Sequence, residues 1–443
     1  MNKSVFFWSI VVALGGFLFG FDVAVISGAE QYIQTYWNLS SVEHGLTVSI
    51  ALIGTVFGAF FGSIPSDKLG RKKTLLIIAA CYLISALGTA FATDWFVFLA
   101  FRFLGGLGVG ASSVTAPVYI SEISPANSRG RLVALFQFNI VLGILISYVS
   151  NYLIEGAAGL EAWRWMLGAE ALPALAFLIL IKFVPESPRW LILMRNKIDE
   201  ARSVLKITNP TNYEEVISNI KENERAEKAS GSSDSLFSPQ YRWPLMLAIV
   251  FAMFNQVSGI NAIIYYAPRI FEMTGLGKGS SLLSTIGIGA VNFLFTLLAM
   301  NFIDRFGRKT LMIIGSVGLI ITLGLVSLAF YRQDFNGWNI TIYLLVYIAF
   351  FAFSQGAVIW VFISEIFPNQ VRAKGQTAGS FTHWFMAAII AFSFPMIAEK
   401  FGGGNTFLFF SVMMILQLIF VWKWMPETKG RSLEQIERNL VLH

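Results

Sequence analysis

The sequence predicts an all-α membrane protein of twelve spanning helices, arranged as two related six-helix bundles of parallel topology. Three observations carry this prediction. The composition suits lipid: of 443 residues, 56% are hydrophobic and 13% charged, about half the charge of a soluble domain. The apolar residues gather into long runs. Three motifs recur in the same order in both halves.

A helix needs about 20 mostly apolar residues to cross a bilayer. Twelve stretches qualify, at 6–27, 45–65, 75–93, 96–119, 132–153, 164–184, 243–268, 281–303, 311–330, 340–364, 375–397 and 405–425. An even number puts both termini on one side. One set of loops carries Lys68, Arg71, Lys72 and Lys73, then Arg129 and Arg131, then Arg305, Arg308 and Lys309, then Arg372 and Lys374. The opposite loop at 28–44 holds Glu30 and Glu43 and no Lys or Arg. Basic loops stay in the cytoplasm, so both termini are expected there, in a cell membrane. Lys3 and the apolar run after it resemble a signal sequence, but the run is too long and reads as a retained first helix.

The polar stretch 186–242 alternates charged and apolar positions in IDEARSVLKI and NYEEVISNIKENERAEKA, then turns to SGSSDS. This predicts short amphipathic helices and a linker. The expected divisions are a first bundle at 1–185, this connection at 186–242, a second bundle at 243–425 and a tail at 426–443.

The repeat is specific. DKLGRKK at 67–73 returns as DRFGRKT at 304–310, SEISPANSRG at 121–130 as SEIFPNQVRA at 364–373, and VPESP at 184–188 as MPETK at 425–429. Parallel repeats of this kind hold their binding sites between the halves, near mid-membrane. Gly70 and Gly307 allow tight reversals. Asp67 and Asp304 are expected to face helix N-termini. Arg71, Arg129, Arg308 and Arg372 are expected to pair with Glu122, Glu186, Glu365 and Glu427. Such a network would gate the cytoplasmic ends; bare topogenic charge is the alternative.

The net charge of +6 does not imply nucleic acid, because the bases sit in short loops. Cys81, the single cysteine, lies in an apolar run and reads as a small buried residue. The chain carries no phosphate-binding loop, metal cluster or nucleophile–base pair, and His44 and His443 fall at or near loop and tail positions. An enzyme, an ATP-driven pump, a metal and a cofactor are therefore not expected.

Polar groups inside spanning helices are costly and need partners or a function. Gln137, Asn255, Gln256, Asn261 and Asn292 are such groups, with Trp360, His383 and Trp384 in the later spans. Carboxamides both donate and accept, which suits a polyhydroxylated ligand; interhelical hydrogen bonding is the alternative. Asp22 ends the run WSIVVALGGFLFGF, with Arg102 as its natural counter-charge. Burial favours a neutral carboxyl and a nearby cation an ionised one, so such a pair can exchange a proton; a static ion pair is the alternative.

The ordered motifs GGFLFGFD (15–22), RFLGGLGVG (102–110), PVYISEISPANSRGRL (117–132), PESPRWL (185–191), NQVSGINAIIYYAP (255–268), DRFGRK (304–309), WVFISEIFP (360–368) and PETKGRSLEQIE (426–437) resemble the sugar porter family of the major facilitator superfamily over nearly the whole chain. The resemblance is nearest to bacterial sugar–proton symporters. It implies alternating-access import of a monosaccharide such as glucose, galactose or xylose. It places Phe19, Gln137, Asn255, Gln256, Asn261, Asn292, Trp360, His383 and Trp384 around the sugar. It implies proton coupling at Asp22, which is asparagine in passive glucose facilitators. A proton-independent uniporter is the alternative, and a sugar sensor is disfavoured by the short tail. A monomer in the bilayer is expected.

Four positions depart from the family pattern. Asn255 replaces a glutamine, and His383 stands where an amide is usual and reads as a neutral substitute for it. Ala357 follows Gly356 where proline is common, which should soften a kink in the tenth helix. Ile144 stands where the xylose symporter has a sugar-binding glutamine, which tilts the substrate toward a hexose.

Overall fold

The computed structural model describes residues 2–125, 128–230, 235–335, 338–367 and 371–429. The linker residues 231–234, parts of two repeated motifs and the tail from 430, with His443, lie outside the described residues. Among the described residues, the secondary structure is helical throughout.

The helices are α1 (Lys3–Tyr36), α2 (Ser41–Phe61), α3 (Ser63–Leu69), α4 (Arg71–Phe91), α5 (Trp95–Ile123), α6 (Arg129–Ala158), α7 (Ala162–Gly168) and α8 (Ala171–Leu180). The connection forms α9 (Pro188–Arg195), α10 (Ile198–Thr208) and α11 (Tyr213–Ser230). Then come α12 (Arg242–Val257), α13 (Ile260–Met273), α14 (Lys278–Phe306), α15 (Arg308–Arg332), α16 (Asn339–Phe353), α17 (Gln355–Glu365) and α18 (Arg372–Trp424).

Among the described residues, eleven helical stretches are long and apolar enough to cross a membrane. The last of them holds two of the twelve spans, because α18 breaks at Gly402 with φ 75° and ψ 164°. Glycine accepts that backbone where other residues strain. Three crossings are jointed: α7 with α8, α12 with α13, and α16 with α17.

Two compact units emerge. The first holds the chain to Val25, Ile53–Ser147 and Arg164 to the end of α11. The second holds Ile26–Leu52, Tyr148–Trp163 and the described chain from 235 onward. The last parts of α1 and α6 and the first half of α2 thus belong to the second unit.

Within the first unit, α1 and α6 touch at their backbones. A Cβ on Gly20 would overlap the carbonyl oxygen of Ile140, and one on Gly143 that of Phe17. Small residues at such crossings let helices approach without side chains between them. The connection helices close their own small core of Trp190, Leu191, Ile192, Ala201, Leu205 and Ile217, as their amphipathic pattern predicts.

The second unit contains bends whose freed backbone groups are satisfied from neighbouring helices. Pro268 cannot donate to the carbonyl of Ile264, four residues earlier. The Tyr148 hydroxyl donates to that oxygen instead, at 3.0 Å. Pro395 likewise frees the carbonyl of Ala391, and the Tyr266 hydroxyl donates to it at 2.8 Å. Where α12 stops and Gly259 turns to φ 86°, Tyr347 donates to the Ser258 carbonyl at 2.9 Å. In hydrocarbon no water can do this work.

Three expectations need correction. The first helix runs to Tyr36 rather than 27, so the stretch read as a loop at 28–44 is mostly helix. His44 is therefore a fully buried residue of α2 and not a loop histidine. The tenth crossing breaks at Ser354 (φ −117°, ψ −91°) although position 357 is alanine. The Ala357 N–H donates to the Ser354 carbonyl there, a bond proline could not make.

Tyr266→Phe should cost about 1–3 kcal/mol, the usual penalty for a buried carbonyl left unpaired, read as a lower melting temperature of the purified protein. In a Pro395→Ala background, where the helix can satisfy Ala391 itself, the same change should cost much less. Equal losses in both backgrounds would disprove the pairing argument.

Candidate functional site

The repeated motifs build the same four-residue assembly in each unit. In the first, the chain turns at Gly70 with φ 98°. Arg71 then donates from Nε and Nη2 to the two oxygens of Glu122, at 3.0 and 3.1 Å. Its Nη1 reaches Asp67 one turn back, at 3.1 Å. Glu186 accepts from the backbone N–H groups of Arg71 and Lys72, at 2.9 and 3.1 Å, and so caps α4. Burial pushes the Glu186 carboxyl up, against the pull of these backbone bonds. Ser187 donates to Glu122 at 2.5 Å, and the Trp190 indole to the Asp67 carbonyl at 2.7 Å.

In the second unit the turn is Gly307, with φ 87°. Arg308 spans Glu365 at 3.1 and 2.7 Å and reaches Asp304 at 2.9 Å. Glu427 accepts from the N–H groups of Arg308 and Lys309 at 2.9 and 3.0 Å. Thr428 donates to Glu365 at 2.6 Å, where Ser187 serves the first unit. Side-on guanidinium–carboxylate pairs of this geometry fix orientation as well as charge.

The roles differ in part from expectation. Glu186 and Glu427 cap the helix N-termini, whereas Asp67 and Asp304 pair with the arginine four residues later. The second arginines do other work: Arg129 is exposed, and Arg372 donates to the Phe367 carbonyl at 3.2 Å.

Deeper in the first unit, Arg102 donates to Asp22 at 2.5 Å, and both side chains are 1% exposed. A second carboxylate, Glu170, lies beside them, with Asp22 and Arg102 as its electrostatic neighbours. It too is buried, and its Oε1 has no hydrogen-bond partner among the described residues. Two carboxyl groups and one guanidinium balance only when the carboxyls share one proton. The sequence analysis missed Glu170; its signal was a lone carboxylate inside the apolar run AEALPALAF.

In the second unit, a hydrogen-bonded set joins α12, α13 and α18. Gln256 donates to Asn255 at 2.9 Å and to the His383 ring, whose nitrogens lie at 3.1 and 3.2 Å. Its Oε1 accepts from Asn261 at 2.7 Å. The break at Ser258–Gly259 lets Gln256 and Asn261, five residues apart, face each other. His383 lies between two indoles, with ring centroids 4.7 Å from Trp360 and 4.8 Å from Trp384. Trp360 is 36% exposed, while Trp384 and His383 are buried. Amides beside indole faces can hold hydroxyls and C–H surfaces together. Asn292, buried on α14, stands outside this bonded set. Phe19, buried on α1, and half-buried Gln137 on α6 belong to the first unit.

Known proteins match the chain along its full length. The model of the family described as "Sugar (and other) transporter" covers residues 8–440. The D-xylose transporter of Levilactobacillus brevis is 39% identical over 97% of this chain and 94% of its own. The D-xylose-proton symporter of Escherichia coli (strain K12) is 36% identical over 98% and 96%. The glucose transporter GlcP of Staphylococcus epidermidis is 38% identical over 99% and 97%. The inward open structure of the xylose transporter XylE from E. coli aligns with a TM-score of 0.87 and 34% identity, over 98% of this chain and 99% of that one.

Breaking a buried ion pair strands a charge, at a cost of about 3 kcal/mol or more. Arg308→Ala should therefore lower stability by about that amount in detergent unfolding. A double-mutant cycle with Glu365→Ala should return a coupling of about 1–3 kcal/mol. Additive losses would show that the pair is not coupled.

Proposed function

Because the chain belongs to the sugar (and other) transporter family, we propose that it imports a monosaccharide together with a proton by alternating access. The single observation that carries the proton half is the buried Asp22–Arg102 pair with Glu170 beside it. Relatives of this chain include proton symporters for xylose and arabinose, which supports the same reading.

The positive-inside rule orients the molecule with its basic turns and both termini in the cytoplasm of a cell with this as its inner membrane. The chain works as a monomer in the bilayer. The amide set around Gln256, with Asn292, Phe19, Gln137 and the two indoles, binds the sugar. Ile144, 6% exposed on α6, favours a hexose over a pentose. The Arg71 and Arg308 assemblies hold the cytoplasmic helix ends in the arrangement needed to gate the cavity.

The proton works through charge balance. While Asp22 is ionised it holds Arg102. A proton taken up on Asp22 removes that partner; if Glu170 gives up its own proton to the other side in the same step, Arg102 turns to the Glu170 carboxylate without becoming an unpaired buried charge. The helix crossings α1–α5 and α5–α8 thus exchange one strong pair for another, and the sugar site loads in the protonated state. Release of the proton on the side of lower proton activity restores the first pair. A membrane potential of 100 mV supplies about 2.3 kcal/mol per charge moved, equivalent to roughly fifty-fold accumulation.

Asp22→Asn in proteoliposomes should retain sugar counterflow but lose accumulation driven by an imposed proton gradient. The proposal fails, in favour of a uniporter, if the unmodified protein does not respond to that gradient, or if Asp22→Asn still concentrates sugar. Gln256→Ala should raise the KM for sugar at least tenfold, about 1.4 kcal/mol of lost binding. A competition panel against labelled uptake, with and without a protonophore, identifies the sugar.

A further inference from the structure

The end of the molecule opposite the basic turns holds a second buried acid–base cluster, entirely within the second unit. Arg269 on α13 donates from Nε and Nη2 to the two oxygens of Glu30 on α1, at 3.0 and 2.9 Å. It also donates to the Gln34 side chain. His44 on α2 places Nε2 at 2.6 Å from Glu30 Oε2. The side chains of Glu30 and His44 are 0% exposed. Arg269 is 25% exposed and links the cluster to water. The sugar site and the Asp22 pair use none of these residues.

We propose that Glu30, His44 and Arg269 form a second proton-binding site, which latches α1 and α2 to α13 and releases them when His44 takes up a proton. The argument is one of charge and donor count. With His44 neutral, Glu30 and Arg269 cancel, and the ring can offer one N–H to the carboxylate. A proton added to the ring leaves the cluster with one net positive charge. It also makes both ring nitrogens donors, where neither has a hydrogen-bond partner of good geometry among the described residues and Nε2 has only its close contact with Glu30. A buried charge and a buried donor without partners both favour parting the helices and admitting water.

The groups facing the ring do not supply the missing negative charge. From α13 these are Arg269 and the face of Tyr266, whose ring centroid lies 6.0 Å away and whose hydroxyl is committed to Ala391. Glu272, one turn beyond Arg269, is a second carboxylate at the edge of the cluster, with Gln31, Lys278, Glu30 and Arg269 as its neighbours; Lys278 balances its charge, so it leaves the count around the ring unchanged. From α1 they are Glu30 and Gln34, and Tyr32 on the same helix is bound to Glu155 and lies under Lys278. On α2 itself, Glu43 caps the helix start through Ser40. From α18, Glu399 is exposed and engages Ser41. With the orientation proposed above, the site faces the outside, where acid would open the latch and present the empty carrier outward.

The experiment needs neither sugar nor gradient, so its failure is separable from failure of the symport reading. Spin labels at Thr35→Cys and Gly277→Cys, in a Cys81→Ser background, report the distance between α1 and the start of α14. On acidification from about pH 7.5 to about pH 5.5, a short-distance population should give way to a longer one. The ratio should change by up to about tenfold per pH unit, the limit for one proton. His44→Gln should stay short at both pH values, and His44→Asn repeats the comparison if the first variant does not fold. Glu30→Gln should favour the long population at both. Asp22→Asn should shift like the parent. No pH response in the parent, a parent-like response in His44→Gln, a closed Glu30→Gln, or a response abolished by Asp22→Asn each overturns the proposal.

Discussion

A guanidinium held by carboxylates is the interaction on which this architecture rests. It occurs at Arg71, Arg102, Arg269 and Arg308, each time between different helices. Apolar packing cannot specify which helix end meets which, because lipid competes with any apolar surface. A buried ion pair can, since every wrong register strands a charge. The arginines therefore act as addresses, written where the helices must meet.

Much of this was legible from the sequence. The repeat at nearly constant spacing pointed to two copies of one turn, and the two assemblies share their arginine, capping-glutamate and hydroxyl bonds, with Ser187 against Thr428. The division of labour inside each copy was less legible. Asp67 opens the motif and looks like the cap of α4, yet Glu186, more than a hundred residues later, occupies that position. Sequence spacing reveals which residues share a helix face; it does not reveal which distant carboxylate folds back onto a helix end.

The residues missed were missed for two physical reasons. Glu30 and His44 read as loop residues because the first apolar run ends near 27, but α1 continues through polar residues to Tyr36. Helices outlast their hydropathy wherever they are packed against protein rather than lipid. Glu170 was passed over because one acid in an apolar run carries no spacing signal. The breaks at Ser258–Gly259 and Ser354 are backbone events, and the second has no proline to announce it. The first of them turns a string of separate amides into one bonded set around Gln256.

The tyrosine hydroxyls that serve the two prolines have a mechanical consequence. Tyr148 on α6 holds the bend of α13, and Tyr266 on that bent segment holds the bend of α18. The three helices form a train of linkages, each joint locked by the one before it. If α13 swivels, the hydroxyl of Tyr266 is withdrawn and the kink in α18 loses its brace. A displacement begun at one crossing is thereby geared to the next, with His383 and Trp384 riding on the same helix as the last joint.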